Sequence, residues 1–337
     1  MGKIVAVLIM LGSLLSGATV GQQSAPLKLA HTILLPDVKS GDFDHFAIDL
    51  PGHRLFLTAE ENKTIEVFDL RTNQRTTSVK GVDTPHSMIF LPDANQLAVV
   101  DGGDGTLKFF DADKYALQDT VKLELDADSS AYDPAKHLLY IVSGGEEGKM
   151  DHILISAVDT TTRKRVADIQ VDSVNVEAMV LEKNSPRMFI NIRDRSLVGV
   201  VDRENKAVLA TWPLDGVQGN TPLALDEGNH RLFVVCRKPA KFLVLDSNSG
   251  KIVASFPTAP IADDTIFDPA SKRIYVAGDG FTVVYLQEGA DRYKEIARIP
   301  TSFRAKTAIL VPELKRFYLA VPRHGQKAAE VRVYDVE

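Results

Sequence analysis

The chain has 337 residues, a formal net charge of −6 and a composition that is 45% hydrophobic and 25% charged. These values are typical of a soluble globular protein with enough apolar residues for a core, and the acidic balance argues against nucleic-acid binding. Cys236 is the single cysteine, which excludes a disulfide bond within the chain. Its position in an apolar strand pattern predicts a buried, unreactive thiol.

The first residues resemble an export signal rather than part of a folded domain. Lys3 precedes an apolar run over residues 4–15, and small residues follow at 16–18. The run is too short for a membrane span, and the pattern predicts a signal peptide over residues 1–22. Because no cysteine follows the run, we expect no lipid anchor. The sequence therefore predicts a periplasmic or secreted protein without a membrane span.

After this segment the chain is a succession of short β-strands. Residues 27–35 (LKLAHTILL) have an isolated strand pattern, and three further strands are predicted at 45–49, 54–58 and 64–69. The Pro51-Gly52 pair marks a turn between the first two of these three, and β-branched and aromatic residues fill the runs. This combination is typical of an antiparallel meander.

The same unit recurs along the chain. Each copy has an apolar residue that opens its second strand, and successive copies are 42 to 49 residues apart. The seven residues are Leu55, Leu97, Leu139, Met188, Leu232, Ile274 and Phe317. A period of about 40–50 residues with four strands per copy is typical of a β-propeller, and no sustained helical periodicity competes with it. We predict an all-β fold, a seven-bladed propeller of four-stranded antiparallel blades, as a single domain over residues 23–337.

The strand patterns at the two ends of the repeat predict how the ring closes. The last copy has a third strand over 331–336 and no sequence for a fourth, whereas the strand at 27–35 has no copy of its own. We predict that this N-terminal strand completes the last blade, because that pairing removes an exposed sheet edge.

Two acidic patterns have structural interpretations. An Asp at the end of the third strand can accept a backbone N–H from the following turn. The six such residues are Asp69, Asp111, Asp159, Asp202, Asp246 and Asp335. The segment from Asp101 to Gly105 (DGGDG) lacks the twelve-residue calcium-loop pattern and is interpreted as a hairpin turn. The sequence has no HExxH, GxSxG, CxxC or Walker motif, so no enzyme class follows from a motif.

Polar residues recur at the start of the first strand of the copies. In a propeller this strand lines the central channel, so its beginning lies at one mouth of the channel. The candidate ligand-binding residues at this mouth are Asp44, His45, His86, Asp128, Glu177, Asn220, Asp263, Asp264, Arg304 and Lys306. Converging titratable groups are typical of a binding or active site. The alternative interpretation is a solvated entrance in which these residues only cap turns.

The imidazoles and carboxylates predicted at the channel mouth are also the types of group that bind a divalent ion. Nitrogen donors suit zinc and an all-oxygen set suits calcium. The candidate metal ligands are His45, His86, Glu177 and Asp264. A divalent ion, calcium or zinc, is thus a candidate cofactor, and a metal-free mouth is the competing interpretation.

Four strings in the repeats carry a resemblance to a known family. They are HRLFLTAEENKTIEVFDLRT, NQLAVVDGGDGTLKFFDA, HRLFVVCRKPAKFLVLDSNSGKIVASFP and KRIYVAGDG. Together they resemble the YncE-like family of exported YVTN-repeat β-propellers over about residues 27–337. The Tyr-Val-Thr-Asn tetrapeptide itself is not present, and strings such as the YVAG at 275–278 stand in its place. The resemblance implies a seven-bladed ring in the cell envelope, often without assigned catalysis.

Two functions remain open at this point. The first is a non-catalytic exported propeller, expected to be a monomer, that binds a small molecule, a carbohydrate or a protein partner at the channel mouth or the loops. The second is a lactonase-like hydrolase or lyase that works with a metal at the same mouth, with Arg304 or Lys306 holding an anionic group. The fold cannot decide between them, because one fold hosts many functions.

Overall fold

Short antiparallel strands are the main elements of the chain that the structure describes. The structure is a computed structural model that describes Gly2, residues 25–39 and residues 41–337. Apart from Gly2, the predicted signal peptide lies outside the described residues. Within the described ranges, 28 strands form seven four-stranded sheets arranged as the blades of one ring. This confirms the predicted fold class.

The first three blades follow one another along the chain. Blade 1 contains β2 (Phe43–Asp49), β3 (Arg54–Ala59), β4 (Thr64–Asp69) and β5 (Gln74–Val79). Blade 2 contains β6 (Pro85–Leu91), β7 (Gln96–Asp101), β8 (Thr106–Asp111) and β9 (Leu117–Lys122). Blade 3 contains β10 (Ser130–Asp133), β11 (Leu138–Gly144), β12 (Ile153–Asp159) and β13 (Lys164–Val171).

The next three blades repeat this order. Blade 4 contains β14 (Val176–Leu181), β15 (Arg187–Ile192), β16 (Leu197–Asp202) and β17 (Ala207–Pro213). Blade 5 contains β18 (Gln218–Asp226), β19 (Arg231–Lys238), β20 (Ala240–Asp246) and β21 (Ile252–Pro257). Blade 6 contains β22 (Asp264–Asp268), β23 (Arg273–Gly278), β24 (Phe281–Gly289) and β25 (Arg292–Pro300). Three short 3-10 helices lie in turns at Glu60–Asn62, Pro92–Ala94 and Pro312–Leu314.

Blade 7 is built from both ends of the described chain. It contains β26 (Thr307–Val311), β27 (Arg316–Val321), β28 (Ala329–Val336) and, as its outer strand, β1 (Leu27–Leu35). β1 pairs antiparallel with β28, from Leu27 opposite Val336 to Leu35 opposite Ala329. The predicted closure by the N-terminal strand is therefore confirmed, with the same bounds.

The core consists of layers between neighbouring blades. Seven clusters of buried apolar residues occur among the described residues, and each joins two adjacent blades. In β3, for example, Leu55 and Leu57 pack towards blade 7, whereas Phe56 between them packs towards blade 2. Successive side chains of a strand point to opposite faces of the sheet. The continuous apolar runs of the second strands, such as RLFL, thus serve two layers at once.

The predicted structural roles of the acidic residues are largely confirmed. The carboxylates of Asp69, Asp111, Asp159, Asp202 and Asp246 each accept the backbone N–H of the residue two positions on. Asp335 differs, because its carboxylate forms an ion pair with Arg316. The segment after Asp101 is a hairpin turn between β7 and β8. Cys236 is fully buried, and burial raises the pKa of its thiol to about 12.

The turns divide between two faces of the ring. Turns that lead into the first strand of a blade, and turns between its second and third strands, lie on one side, here called the mouth face. Turns between the first and second strands and between the third and fourth lie on the other side, here called the opposite face. No helix among residues 25–39 and 41–337 has the length and apolar character needed to cross a membrane.

The ring closure can be tested by a substitution in β1. Leu35 is fully buried in the layer between blades 7 and 1, whereas Leu34 is 63% exposed on the same strand. We expect Leu35→Ala to lower the free energy of unfolding by about 2–5 kcal/mol, because it leaves a cavity in this layer. Leu34→Ala should change it by less than about 0.5 kcal/mol. Urea unfolding followed by circular dichroism measures both, and equal effects would contradict the proposed closure.

Candidate functional site at the channel mouth

The first strands of the blades line the central channel. A cavity of about 260 Å³ at its mouth is lined by residues from or next to the first strands of blades 1 to 6. Representative residues, one per blade, are His45, Ser87, Ser130, Ala178, Pro222 and Asp264. The predicted convergence of first strands at one mouth is thus seen in the geometry.

Asp44 lies between two imidazoles. Its Oδ2 is 2.7 Å from Nδ1 of His86, on the neighbouring blade, and its Oδ1 is 3.6 Å from Nε2 of His45. Burial alone would raise the pKa of the Asp44 carboxyl, but His45 and His86 together hold it well below its usual range. Asp44 is therefore ionised at neutral pH.

The two imidazoles are held in the protonated form. Burial would lower the pKa of His45, but Asp44, Asp264, Asp128 and Asp263 raise it to about 9. Burial would also lower the pKa of His86, but Asp128 and Asp44 raise it to about 10. Both side chains are therefore cations at neutral pH.

Three other carboxyl groups in the mouth have no lysine or arginine within ion-pair distance among the described residues, and the cations nearest to two of them are the imidazoles. Burial, opposed in part by the imidazoles, raises the pKa of Asp128, Asp264 and Glu60 to about 7. The nearest imidazole nitrogens are 3.7 Å from Asp128 Oδ1 and 3.8 Å from Asp264 Oδ1. Asp264 also accepts the backbone N–H of Ala308 at 2.6 Å. Glu60 lies in the turn after β3 and was not among the predicted residues.

A second set of charges lies on the side of blades 6 and 7. Lys306 forms an ion pair with Asp263, and its Nζ is 3.5 Å from Asp42. Burial would lower the pKa of Lys306, but Asp263 and Asp44 raise it above its usual range. Arg304 also pairs with Asp42, where burial raises the carboxyl pKa despite these two cations. Asp42 was not among the predicted residues.

Two predicted residues face other partners. Glu177 accepts a hydrogen bond from Nη1 of Arg193 at 2.6 Å. Asn220 is fully buried and donates from its amide nitrogen to Asn191 Oδ1 at 2.8 Å and to the Leu197 carbonyl at 2.9 Å. Asn220 thus joins blades 4 and 5, and it is absent from the residues that line the mouth cavity.

The donor set at the mouth fits a divalent ion, though with a different grouping from the predicted one. Ligand atoms of Asp44, His45 and Asp128 lie within 4.8 Å of one another, a grouping identified among the described residues. One imidazole nitrogen, once the ion has displaced the proton of His45, and two carboxylate oxygens suit zinc better than calcium, which takes six to eight oxygens. Of the four predicted ligands, His45 belongs to this group, and the Glu177 carboxylate is instead bonded to Arg193.

Comparisons with known proteins agree with this architecture. No protein-family model matches the chain. An uncharacterised YncE protein of Salmonella typhimurium is 24% identical over 200 residues, which is 59% of this chain and 55% of the relative. Its counterpart in Salmonella typhi is 23% identical over the same shares. The match thus spans about half the length of these curated relatives.

Solved structures of other proteins share the fold. A chain of Kuenenia stuttgartiensis hydrazine synthase superposes with a TM-score of 0.71 at 14% identity, covering 91% of this chain and 96% of that one. A chain of a mitotic checkpoint complex gives 0.76 at 12% identity and covers 99% of both chains. At these identities the likeness shows the fold alone. The protein is a seven-bladed β-propeller, and the curated matches together with this ring support its place among the YncE-like propellers.

The imidazolium of His86 should make stability depend on pH. Its pKa is raised from 6.5 to about 10 in the folded state, so its stabilisation is fully present below about pH 6.5 and is lost as the pH rises through about 10. We expect His86→Asn to cost roughly 1–3 kcal/mol of unfolding free energy at pH 6 and clearly less at pH 10. Urea unfolding at both pH values measures this difference.

The matched control is His230→Asn. His230 is exposed on the opposite face and has a positive φ of 54°, a conformation that Asn tolerates. This variant should follow the wild-type pH profile. A cost for His86→Asn that is the same at pH 6 and pH 10 would contradict the proposed protonated imidazole.

Proposed function

We propose that this protein is an exported propeller that binds a small, positively charged ligand at the mouth of its central channel. The observation that carries the proposal is a cluster of half-buried carboxyl groups at this mouth, one of which, Asp264, lines the cavity. Glu60, Asp128 and Asp264 converge from three blades, and the described residues place no lysine or arginine within ion-pair distance of these three. A ligand ammonium or guanidinium group would supply the missing charge.

The cavity wall also suits a ligand with an apolar part. Beside its acidic groups, the wall includes the hydroxyl-bearing residues Ser87, Ser130 and Thr265 and the apolar residues Met88 and Met179. Small-molecule sites commonly combine an apolar lining with a few placed polar groups. The raised pKa values of the carboxyl groups support the same assignment, since a bound cation favours the ionised forms and its binding would release protons near pH 7.

Export is supported by the sequence pattern of residues 1–22 alone. A cell-fractionation experiment with the full chain tests it. Export requires a shortened, mature protein outside the cytoplasm, and recovery of the full-length chain in the cytoplasm would contradict it.

Ligand binding can be tested by a substitution that removes charge and keeps shape. A thermal-shift screen of amines, amino sugars, neutral sugars and organic acids should give hits among the cationic compounds. For such a hit, Asp264→Asn should weaken binding about tenfold by isothermal titration calorimetry, because the charged partner is lost while the carbonyl oxygen of Asn can still accept the Ala308 N–H.

Asp215→Asn is the matched control for this charge change. Asp215 is exposed in the turn that leads into β18, also on the mouth face, so its loss should leave the affinity unchanged. The proposal fails if only neutral or acidic compounds bind, or if both substitutions weaken binding equally.

A second candidate function is a metal-assisted hydrolase or lyase, favoured by the grouping of Asp44, His45 and Asp128. A bound divalent ion would lower the pKa of a water ligand and polarise a substrate oxygen. The chain itself would contribute Glu60 or Asp264 as the carboxyl group that exchanges a proton with this water. Lys306 would place a positive charge at the side of the mouth.

Metal titration separates the two candidate functions. The metal-assisted function requires one equivalent of zinc or calcium per chain by calorimetry and elemental analysis, and turnover of a lactone that requires the ion. Asp128→Asn should reduce the metal affinity at least tenfold. A protein that takes up no metal from an equimolar solution, or that turns over no lactone when loaded, excludes this candidate.

A further inference from the structure

A second pocket lies on the mouth face between blades 4 and 5. It has a volume of about 330 Å³. Three of its lining residues are cations, and the remainder includes one carboxylate and several small or neutral polar residues. The lining residues are Asn175, Arg193, Asp194, Ser196, Gln218, Gly219, Arg237 and Lys238. This pocket is distinct from the mouth cavity, with which it shares no lining residue.

Arg193 and Arg237 are each held in place by a hydrogen bond to a carboxylate near the channel. Arg193 donates from Nη1 to Glu177 at 2.6 Å. Arg237 donates from Nη2 to Asp263 at 2.5 Å and from Nε to the Ala262 carbonyl at 3.1 Å. A guanidinium carries five N–H donors in a planar arrangement. The Nε and Nη2 atoms of Arg193 and the Nη1 atom of Arg237 therefore retain donors with no acceptor among the described residues.

The third cation is free of any ion pair in the part of the chain that the structure describes. Lys238 ends β19 and is exposed. The carboxylate in the pocket, Asp194, has partners other than the three cations: it accepts hydrogen bonds from Ser173 Oγ at 2.7 Å and from the Val174 N–H at 3.3 Å, and Nε of Arg195 is 3.9 Å away. The pocket thus offers pre-positioned donors and an unpaired ammonium, and it lacks the acceptor that would satisfy them.

We propose that this pocket binds a small oxyanion, a carboxylate, sulfate or phosphate group, through Arg193, Arg237 and Lys238. Planar guanidinium groups match the paired oxygens of such anions, and a lysine adds a point charge. The assignment does not depend on cation binding at the mouth. If both sites are occupied, Glu177 and Asp263 connect them, because the carboxylates that hold the two arginines lie at the edge of the mouth.

The experiment is a titration of the mature chain with sulfate, phosphate and glucuronate by calorimetry at low ionic strength, with glucose as the uncharged probe. Binding of one or more of these oxyanions with a stoichiometry of one, and no binding of glucose, supports the proposal. Preference for glucuronate over sulfate and phosphate would identify a carboxylate site, and the reverse preference would identify an inorganic or phosphorylated anion. No binding of any oxyanion at millimolar concentration overturns the proposal.

Two single substitutions define the site. Lys238→Gln should weaken oxyanion binding about tenfold, since one charged contact is lost. Lys251→Gln makes the same charge change on the opposite face, where Lys251 is exposed before β21, and should have no effect. Equal weakening by both variants would show a diffuse effect of net charge and would overturn the assignment. A positive oxyanion titration together with a failed amine screen would leave this site standing and remove only the proposed function.

Discussion

The fold depends on apolar contact between neighbouring blades. A four-stranded sheet with two apolar faces cannot bury both by itself, and each blade here is covered only because another lies on either side. In β3, Leu55 and Leu57 pack in the layer with blade 7, whereas Phe56 between them packs in the layer with blade 2. The ring must therefore close, and the pairing of β1 with β28 completes the blade where it does so.

The closed ring also explains why the mouth can hold so many charges. Burying a carboxylate costs several kcal/mol unless a partner is supplied. Asp44 has two imidazole partners, His45 next to it on β2 and His86 on the adjacent blade, which the convergence of the first strands brings close. Asp263 is similarly shared between Lys306 and Arg237. Burial raises the pKa values of Glu60, Asp128 and Asp264, which have no lysine or arginine within ion-pair distance among the described residues. These three groups carry the proposed cation site.

Much of this could be predicted from the sequence, because the information was local and repeated. The order of the strands, the number of blades and the position of Asp44, His45 and His86 at one end of the first strands follow from a periodic pattern, although several strands begin or end one or two residues beyond the predicted bounds. The partners of Glu177 and Asn220 could not be predicted. Glu177 is bonded to Arg193, in the turn after a second strand, and Asn220 to Asn191, on that second strand. A sequence period does not indicate which side chains on different strands form hydrogen bonds. Glu60 was missed for the same reason, although turns after the second strands share the mouth face with the candidate residues.

The antiparallel pairing of β1 with β28 determines which face of the ring points away from a surface to which the protein is attached. Leu27 lies opposite Val336, and the Glu337 N–H donates to the Pro26 carbonyl at 3.2 Å, so residues 26 and 337 are neighbours on the opposite face. A linker joined at either position would leave from the same spot and would turn the channel entrance outward. Immobilised on a sensor surface through such a linker, the protein would present both pockets to the flowing solution.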